Sequence, residues 1–136
     1  MGLIIDTDVW VLAEKSGQNL DLARWASYGN AYMSAVTASE LLVGVESANT
    51  AQRKAKRAAF VENLLASIPV LDFSLPVART HARMLAALPK NTTAGAHDAL
   101  IAATAIYHDC AVLTRNVVDF KIFAGLTVET YVELVR

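Results

Sequence analysis

The chain has 136 residues, of which 54% are hydrophobic, and its formal net charge is −1. This length predicts a single domain over residues 1–136 with a substantial core, and no apolar run reaches the ~18 residues that a membrane span requires. The near-neutral charge argues against a generally basic nucleic-acid coat, although it leaves room for a local channel. The sequence has no signal-peptide pattern, and its single cysteine, Cys110, cannot form an internal disulfide. We therefore expect a cytoplasmic protein that has no membrane contact.

Short apolar runs alternate with helical patterns along the chain. In the first half, the patterns predict a strand at Leu3–Ile5, helices at Val9–Lys15 and Leu20–Tyr28, a strand at Ala31–Val36, and helices from Ala38 to about Ser47 and at Thr50–Ser67. In the second half, they predict a strand at Pro69–Leu71, a helix capped by Asp72 or Ser74 and reaching about Leu88, a loop at Pro89–Gly95, a helix at His97–His108, and strands at Ala111–Thr114 and Leu126–Glu129. This alternation predicts an α/β fold with a short, mostly parallel sheet that is covered by helices on both faces.

Four acids lie near the predicted carboxyl ends of strands: Asp6, Glu40, Asp98 and Asp119. Each of them also has a local explanation. Asp6 or its neighbour Asp8 is a good helix N-cap, and Thr37 to Glu40 matches the capping box. Asp98 lies in a first helical turn, where the helix dipole favours negative charge. Asn116 is positioned to cap a short turn that has Asp119 at its third residue.

The four acids are expected to lie close together, because the carboxyl ends of parallel strands meet at one edge of the sheet. Carboxylates that converge there repel one another, and some are driven to bind a proton. Hard divalent cations such as Mg²⁺ relieve that repulsion by taking oxygen ligands. A pair of such ions activates a water and stabilises the leaving oxygen of a phosphodiester. The pattern therefore favours metal-dependent phosphodiester hydrolysis over chemistry that uses a side-chain nucleophile.

Over nearly its whole length the chain resembles PIN-domain nucleases of the VapC toxin family, which belong to type II toxin–antitoxin (VapBC) systems. The resemblance is carried by four blocks in order: Ile4–Thr7, Ser34–Leu42, His97–Ala105 and Val112–Phe120. It implies a PIN fold and an endoribonuclease that depends on Mg²⁺ or Mn²⁺, cleaves RNA with a metal-activated water and leaves 5′-phosphate and 3′-hydroxyl ends. It also implies a toxic action on the producing cell, restrained by a cognate VapB-type antitoxin.

The family motifs imply a role for each matching residue. Asp6 and Asp98 would be the main metal ligands, and Glu40 and Asp119 would complete the site directly or through water. Thr7 and Thr114 would orient carboxylates or the scissile phosphate, and Asn116 would support Asp119. Asp8 stands where the family often has a small polar residue, so we expect it to support the site and to cap the helix. The resemblance further implies a homodimer that contacts operator DNA only through the antitoxin.

Several residues keep two interpretations. The basic run Arg53–Arg57 is either a solvated helix face or a contact for RNA phosphates or an acidic antitoxin segment. Arg115 lies inside the last motif. We expect His97 to pack or bond within its turn rather than to bind metal. Trp10 and Trp25 are either core residues or anchors on a helix hairpin that forms an antitoxin-binding surface.

Three other functions compete with the nuclease. Asp6-Thr7-Asp8 echoes the DxD motif of haloacid-dehalogenase-like phosphatases, but the lysine and acid pair that should follow Thr114 have little room in the short remaining tail. A receiver-like signalling module would use Asp72 as its phosphate acceptor, with Thr114 and Lys121 as sensors, and would leave Glu40 and Asp98 without a role. A PIN fold that acts mainly as a DNA-regulatory partner, with little catalysis, would have the same acids.

Overall fold

The computed structural model describes residues 1–17 and 20–132. Its centre is a sheet in which every pairing between neighbouring strands is parallel, in the order β3-β2-β1-β4-β5. The strands are β1 (Gly2–Ile5), β2 (Ala31–Ser34), β3 (Val70–Leu71), β4 (Cys110–Thr114) and β5 (Val128–Thr130). The prediction of a short parallel sheet flanked by helices is thus confirmed.

The helices are α1 (Thr7–Ser16), a short 3₁₀ helix (Ala23–Tyr28), α2 (Ala35–Glu46), α3 (Ala51–Ser67), α4 (Leu75–Ala86), α5 (Ala96–Tyr107) and α6 (Val117–Phe120). The segment predicted as a helix at Leu20–Tyr28 is therefore only one short 3₁₀ helix. Ser74 rather than Asp72 caps α4, because its hydroxyl accepts the amide of Val77. In the described ranges no helix is both long and apolar enough to cross a membrane.

The central strands are buried on both faces, which explains why they read as continuous apolar runs. Ile4 and Val112 pack into a core with α4, α5 and α6 on one side of the sheet. Ile5 and Leu113 pack into a second core with α1, α2 and α3 on the other side. Each such side chain, when fully buried, contributes roughly 1.5–3 kcal/mol to folding. Because successive side chains of a strand point to opposite faces of the sheet, the same strands contribute residues to both cores.

Trp10 and Trp25 both belong to the second core and are 4% and 5% exposed. The hypothesis that these rings anchor an antitoxin on the surface is therefore wrong, and the core interpretation is correct. The reason is that α1 and the 3₁₀ helix both turn their aromatic residues toward the sheet rather than toward solvent.

The sheet has its topological switch beside β1. From β1 the chain proceeds outward through β2 to β3, and it then returns to the other side of β1 to form β4 and β5. In open parallel sheets, ligands bind outside the carboxyl ends of the strands at such a point. We therefore expect the functional site at the residues that follow β1 and β4.

Candidate active site

Asp6 follows β1 directly and is 5% exposed. It is the N-cap of α1, since its Oδ1 accepts the Thr7 amide at 2.8 Å. Its Oδ2 accepts the hydroxyl of Thr114 at 2.8 Å, and its own amide donates to the carbonyl of Leu113 at 2.9 Å. The carboxylate is thereby held at the junction of β1 and β4.

Asp8 does not cap α1 as the sequence suggested. It is the second residue of that helix, and its carboxylate accepts the backbone amide of Arg115 at 3.2 and 3.4 Å. The helix needs a cap one residue before its start, and Asp6 already fills that position. Asp8 instead joins α1 to the turn that follows β4.

Thr114 is fully buried, and its hydroxyl oxygen also accepts the amide of Asn116 at 2.9 Å. Asn116 precedes α6, but its side chain makes no capping hydrogen bond. Its carbonyl accepts the amide of Asp119 at 3.2 Å. Asn116 therefore shapes the turn that holds Asp119 through its main chain. The side-chain cap predicted from the sequence is not formed.

Glu40 is not part of a capping box. Ser34 is the N-cap of α2 and accepts the Thr37 amide at 3.1 Å, so Glu40 falls in the second helical turn. Its Oε1 accepts the hydroxyl of Thr7 at 2.8 Å, and its Oε2 lies 3.3 Å from Nδ1 of His97. Glu40 thus connects α2 with the starts of α1 and α5, which the capping-box explanation does not allow.

Behind Glu40 lies a chain of hydroxyl groups that the sequence did not reveal. The Thr7 and Thr37 hydroxyl oxygens are 3.0 Å apart, and Ser34 Oγ is 3.4 Å from Thr37 Oγ1. A hydroxyl has one proton, so a Thr7 hydroxyl that donates to Glu40 accepts from Thr37. Spacing alone could not find this set, because its members come from three elements, α1, β2 and α2, and are ordinary residues for capped helices.

Asp98 is the third residue of α5, whose N-cap Gly95 has no side chain to bond the helix. The prediction that all four acids follow strands is wrong for Asp98, because α4 and the loop after it precede α5. In the described part of the chain the Asp98 carboxylate has no hydrogen-bond donor. A Cβ at Gly95 would lie 3.1 Å from its Oδ2, so this glycine makes room for the carboxylate.

The acids act on one another electrostatically. The pKa of Asp6 is raised to about 7, first by burial and then by the negative charges of Asp8 and Asp98, while the hydrogen bonds from Thr114 and Thr7 act to lower it. The pKa of Asp98 is also raised, first by burial and then by the charges of Asp119, Glu40 and Asp8. Asp119 itself is exposed at the third position of α6. The predicted acids therefore belong to one group, and Asp8 is a fifth member.

The donor set suits a hard cation. Within residues 1–17 and 20–132, no three His, Cys, Asp or Glu side chains form a compact cluster that could enclose an ion. A cation here would be held by one or two carboxylates with water in its other positions, which is the mode that Mg²⁺ prefers. The groups are carboxylate and hydroxyl oxygens, and the pKa of Asp6 is raised first by burial and then by the negative charge of Asp8, both of which a bound cation would offset. We conclude that the residues fit Mg²⁺ or Mn²⁺.

The basic run on α3 is partly engaged with its own neighbours. Lys54 pairs with Glu46 at 3.2 Å, and Arg57 pairs with Glu14 at 3.5 Å and also donates to the carbonyl of Gly44. Arg53 donates to the side chain of Asn49 at 3.0 Å. These contacts favour the interpretation of this run as a solvated helix face over its interpretation as a binding surface for RNA phosphates.

The fold corresponds to that of known proteins. A family model described as PIN domain matches residues 3–126, and the chain belongs to that family. It is 41% identical over 131 residues to Ribonuclease VapC1 of Rickettsia felis and 33% identical to Ribonuclease VapC of Rickettsia bellii, with 96% of each chain covered in both cases. These two relatives place it among the VapC proteins.

Solved structures agree with the fold. VapBC2 from Rickettsia felis, bound to a DNA fragment from its promoter, matches with a TM-score of 0.85 at 23% identity over 96% of this chain and 99% of the other. VapBC-5 from Mycobacterium tuberculosis matches with a TM-score of 0.72 at 26% identity over 96% and 98%. The PIN fold leaves no support for the receiver-like or the phosphatase interpretation.

Proposed function

We propose that the protein is an endoribonuclease dependent on Mg²⁺ or Mn²⁺ and the toxin of a VapBC-type toxin–antitoxin pair. The observation that carries this proposal is the buried Asp6 carboxylate, whose pKa is raised to about 7 among the charges of Asp8 and Asp98. Its hydrogen bonds come from the neutral donors Thr7 and Thr114, so a cation is the natural source of counter-charge. The ribonuclease names of the two VapC relatives support RNA as the substrate.

We assign Asp6 and Asp98 as the principal cation ligands, with Glu40 and Asp119 completing the site directly or through water. When bound, the cation supplies the Lewis acidity that promotes attack of water on a phosphodiester and stabilises the leaving oxygen. Thr114 and the Thr7 amide hold the two oxygens of Asp6 in one orientation. Such positioning lowers the ordering cost of the reaction.

Thr7 has a second task, because its hydroxyl fixes Oε1 of Glu40. Asp98 differs from Asp6, Asp8 and Glu40 in that its half-buried carboxylate accepts no hydrogen bond from the described residues, so both of its oxygens remain open to a ligand. The main-chain contacts of Asn116 set the turn that presents Asp119. The products we expect are 5′-phosphate and 3′-hydroxyl ends.

The partners follow from the relatives. Several similar structures are described as VapBC complexes, some of them bound to DNA. We propose that a cognate VapB-type antitoxin restrains this chain, that the chain forms a homodimer, and that it contacts operator DNA only through the antitoxin. A basic antitoxin side chain that enters the acid group would block the cation. RNA and antitoxin would both be met in the cytoplasm.

The test is to sequence RNA ends after induced expression of wild type and Asp98→Asn, and to repeat the cleavage with purified protein in Mg²⁺, in Mn²⁺ and in EDTA. We expect Asp98→Asn or EDTA to reduce cleavage about 100-fold or more. Asp72→Asn is the matched control, because Asp72 is exposed and lies outside the site. Cleavage that persists in EDTA would contradict cation dependence, and operator binding without any RNA cleavage would favour the DNA-regulatory alternative.

A further inference from the structure

Thr37 is a fully buried residue in the first turn of α2, and its hydroxyl reaches out of its own helix. A buried helical threonine commonly donates to the carbonyl four residues earlier. Thr104 does so, because its hydroxyl donates to the carbonyl of Leu100 at 2.9 Å. The Thr37 oxygen instead lies 3.0 Å from the hydroxyl oxygen of Thr7, which belongs to α1. The hydroxyl of Thr37 therefore joins α2 to the start of α1.

The direction of the hydrogen bonds along this chain of hydroxyl groups is set at both ends. At the outer end, Oε1 of Glu40 accepts the single proton of the Thr7 hydroxyl at 2.8 Å, so Thr7 accepts from Thr37. At the inner end, the amide of Thr37, which can only donate, donates to Oγ of Ser34 at 3.1 Å. The hydroxyl of Ser34 then donates to the Thr37 oxygen at 3.4 Å. Each hydroxyl thus accepts one hydrogen bond and donates the next one toward Glu40.

The Thr7 hydroxyl depends on the donor behind it. Ser34 and Thr37 are both 0% exposed, whereas Thr7 is only half-buried. A half-buried hydroxyl that receives no hydrogen bond from the protein can turn toward water and release its acceptor. A hydroxyl that accepts a hydrogen bond also donates a stronger one. The buried end of the chain therefore keeps the exposed end directed at Glu40.

We propose that Thr37 is a positioning residue for the acid group. Its hydroxyl holds Thr7 in the rotamer that gives the Thr7 proton to Oε1 of Glu40, and it thereby fixes the Glu40 carboxylate at the site. This inference rests on the proposed nuclease function, in which Glu40 completes the cation site. It assigns a role in that site to a side chain that contacts neither cation nor substrate.

Four variants test the Thr37 hydroxyl. Thr37→Val keeps the shape of the side chain and removes the donor, whereas Thr37→Ser keeps the donor and removes the methyl group. Thr7→Val removes the residue through which Thr37 acts. Thr104→Val is the matched control, because Thr104 is a similarly buried helical threonine whose hydroxyl bonds within α5.

The first measurement uses the cation-free protein in EDTA. Three-bond NMR couplings to the methyl carbon of Thr7 report the χ1 rotamer of its side chain. We expect wild type, Thr37→Ser and Thr104→Val to show a single rotamer, and Thr37→Val to show an average over two or more. Wild-type couplings that are already averaged would overturn the inference without any variant.

The second measurement is the affinity for Mn²⁺, together with single-turnover cleavage of RNA in Mn²⁺. We expect Thr37→Val to lower both about 3- to 10-fold, as loss of one hydrogen bond does. Thr37→Ser and Thr104→Val should stay within about 2-fold of wild type, because each keeps the donor to Thr7. In a Thr7→Val background, Thr37→Val should cause no further loss, because its effect passes through Thr7.

Three results would overturn the inference. The first is a Thr37→Val variant with unchanged Thr7 couplings and Mn²⁺ affinity. The second is an equal loss in Thr37→Ser or Thr104→Val, which would assign the effect to packing or to general destabilisation. The third is a full further loss in the Thr7→Val background, which would assign it to another route. A wild type that cleaves no RNA would instead overturn the proposed function, and the couplings and the Mn²⁺ affinity would still decide the role of Thr37.

Discussion

The hydroxyl of Thr114 donates to Oδ2 of Asp6 across 2.8 Å and joins the carboxyl ends of β4 and β1, 108 residues apart in the chain. Both side chains are buried, so water does not compete for the bond. The same hydroxyl oxygen accepts the amide of Asn116. One threonine therefore connects the first acid of the site to the turn that presents the last.

Replacing Thr114 by Val should destabilise the protein by about 1–3 kcal/mol, because a buried carboxylate oxygen and an amide lose their partner with little change in shape. The loss should also raise the pKa of Asp6 further, since this hydrogen bond lowers it. Urea unfolding at pH 8 measures the first effect. Thr114→Ser keeps the hydroxyl and should lose less than half as much. A Thr114→Val variant that is as stable as wild type would show that this hydrogen bond does not stabilise the fold.

Asp6 should make the cation-free protein less stable as the pH rises. Its pKa is 3.8 without the fold and about 7 within it, so between these values the folded chain keeps a proton that the unfolded chain has lost. The stability that depends on a protonated Asp6 is therefore fully present below about pH 4, and it is lost as the pH rises to about 7. In EDTA at pH 8, Asp6→Asn should therefore be more stable than wild type by about 1–3 kcal/mol.

The asparagine can still accept the Thr7 amide and can donate to Thr114, so the comparison isolates the charge. Thermal unfolding in EDTA from pH 4 to pH 8 measures it, with the two proteins converging near pH 4. Added Mg²⁺ should stabilise wild type more than the variant. A wild type that exceeds Asp6→Asn at pH 8 without a cation would contradict the raised pKa.

Asp8 should control the turn after β4 through the Arg115 amide. Asp8→Ala removes the acceptor, and hydrogen exchange at that amide should become about 3- to 10-fold faster. Asp8→Asn keeps an acceptor oxygen and should leave the exchange near wild type. Both variants remove a charge that raises the pKa of Asp6, so both should lower that pKa when it is followed by carboxyl NMR. Exchange that is unchanged in Asp8→Ala would show that the turn forms without this contact.

Gly95→Ala should impair the site and spare the fold. Its backbone angles, φ −62° and ψ 134°, suit alanine, but the new Cβ would lie 3.1 Å from Oδ2 of Asp98. We expect stability to stay within about 1 kcal/mol of wild type, and Mn²⁺ affinity and cleavage to fall several-fold. Gly44→Ala is the control, because nothing lies within 4 Å of its Cβ. Unchanged Mn²⁺ binding in Gly95→Ala would show that the carboxylate adapts freely.

Local patterns predicted what depends on local physics. The helix predicted at Thr50–Ser67 is observed at Ala51–Ser67, with Thr50 as its N-cap, because periodicity and cap chemistry both lie within that segment. The buried strand that ends at Ile5 was likewise clear from its apolar run. The convergence of Asp6, Glu40 and Asp119, which do come after strands, followed from the rule that parallel strands share a carboxyl edge.

Local patterns could not decide which of several polar side chains caps a helix and which one bonds to a distant partner. Asp6 and Asp8 are both good caps, and the amide of Arg115, 107 residues away, decides that Asp8 bonds elsewhere. Glu40 matches a capping box in the sequence, but in the structure its Oε1 accepts the hydroxyl of Thr7 from another helix. Asp98 reaches the site by a helix–loop–helix path that no strand rule anticipates. Each outcome depends on a partner that is distant in sequence.

The strand order has a consequence for the order in which the acid group is assembled during synthesis. β1 is made first and lies between β2 and β4, so one of its edges stays unpaired until β4 has been synthesised. Asp6 cannot receive the Thr114 hydroxyl, or approach Asp98 and Asp119, before that pairing forms. A chain that is still being translated therefore holds an incomplete acid group for most of its synthesis. The acid group is therefore complete only after the segment from β4 to α6 has been synthesised.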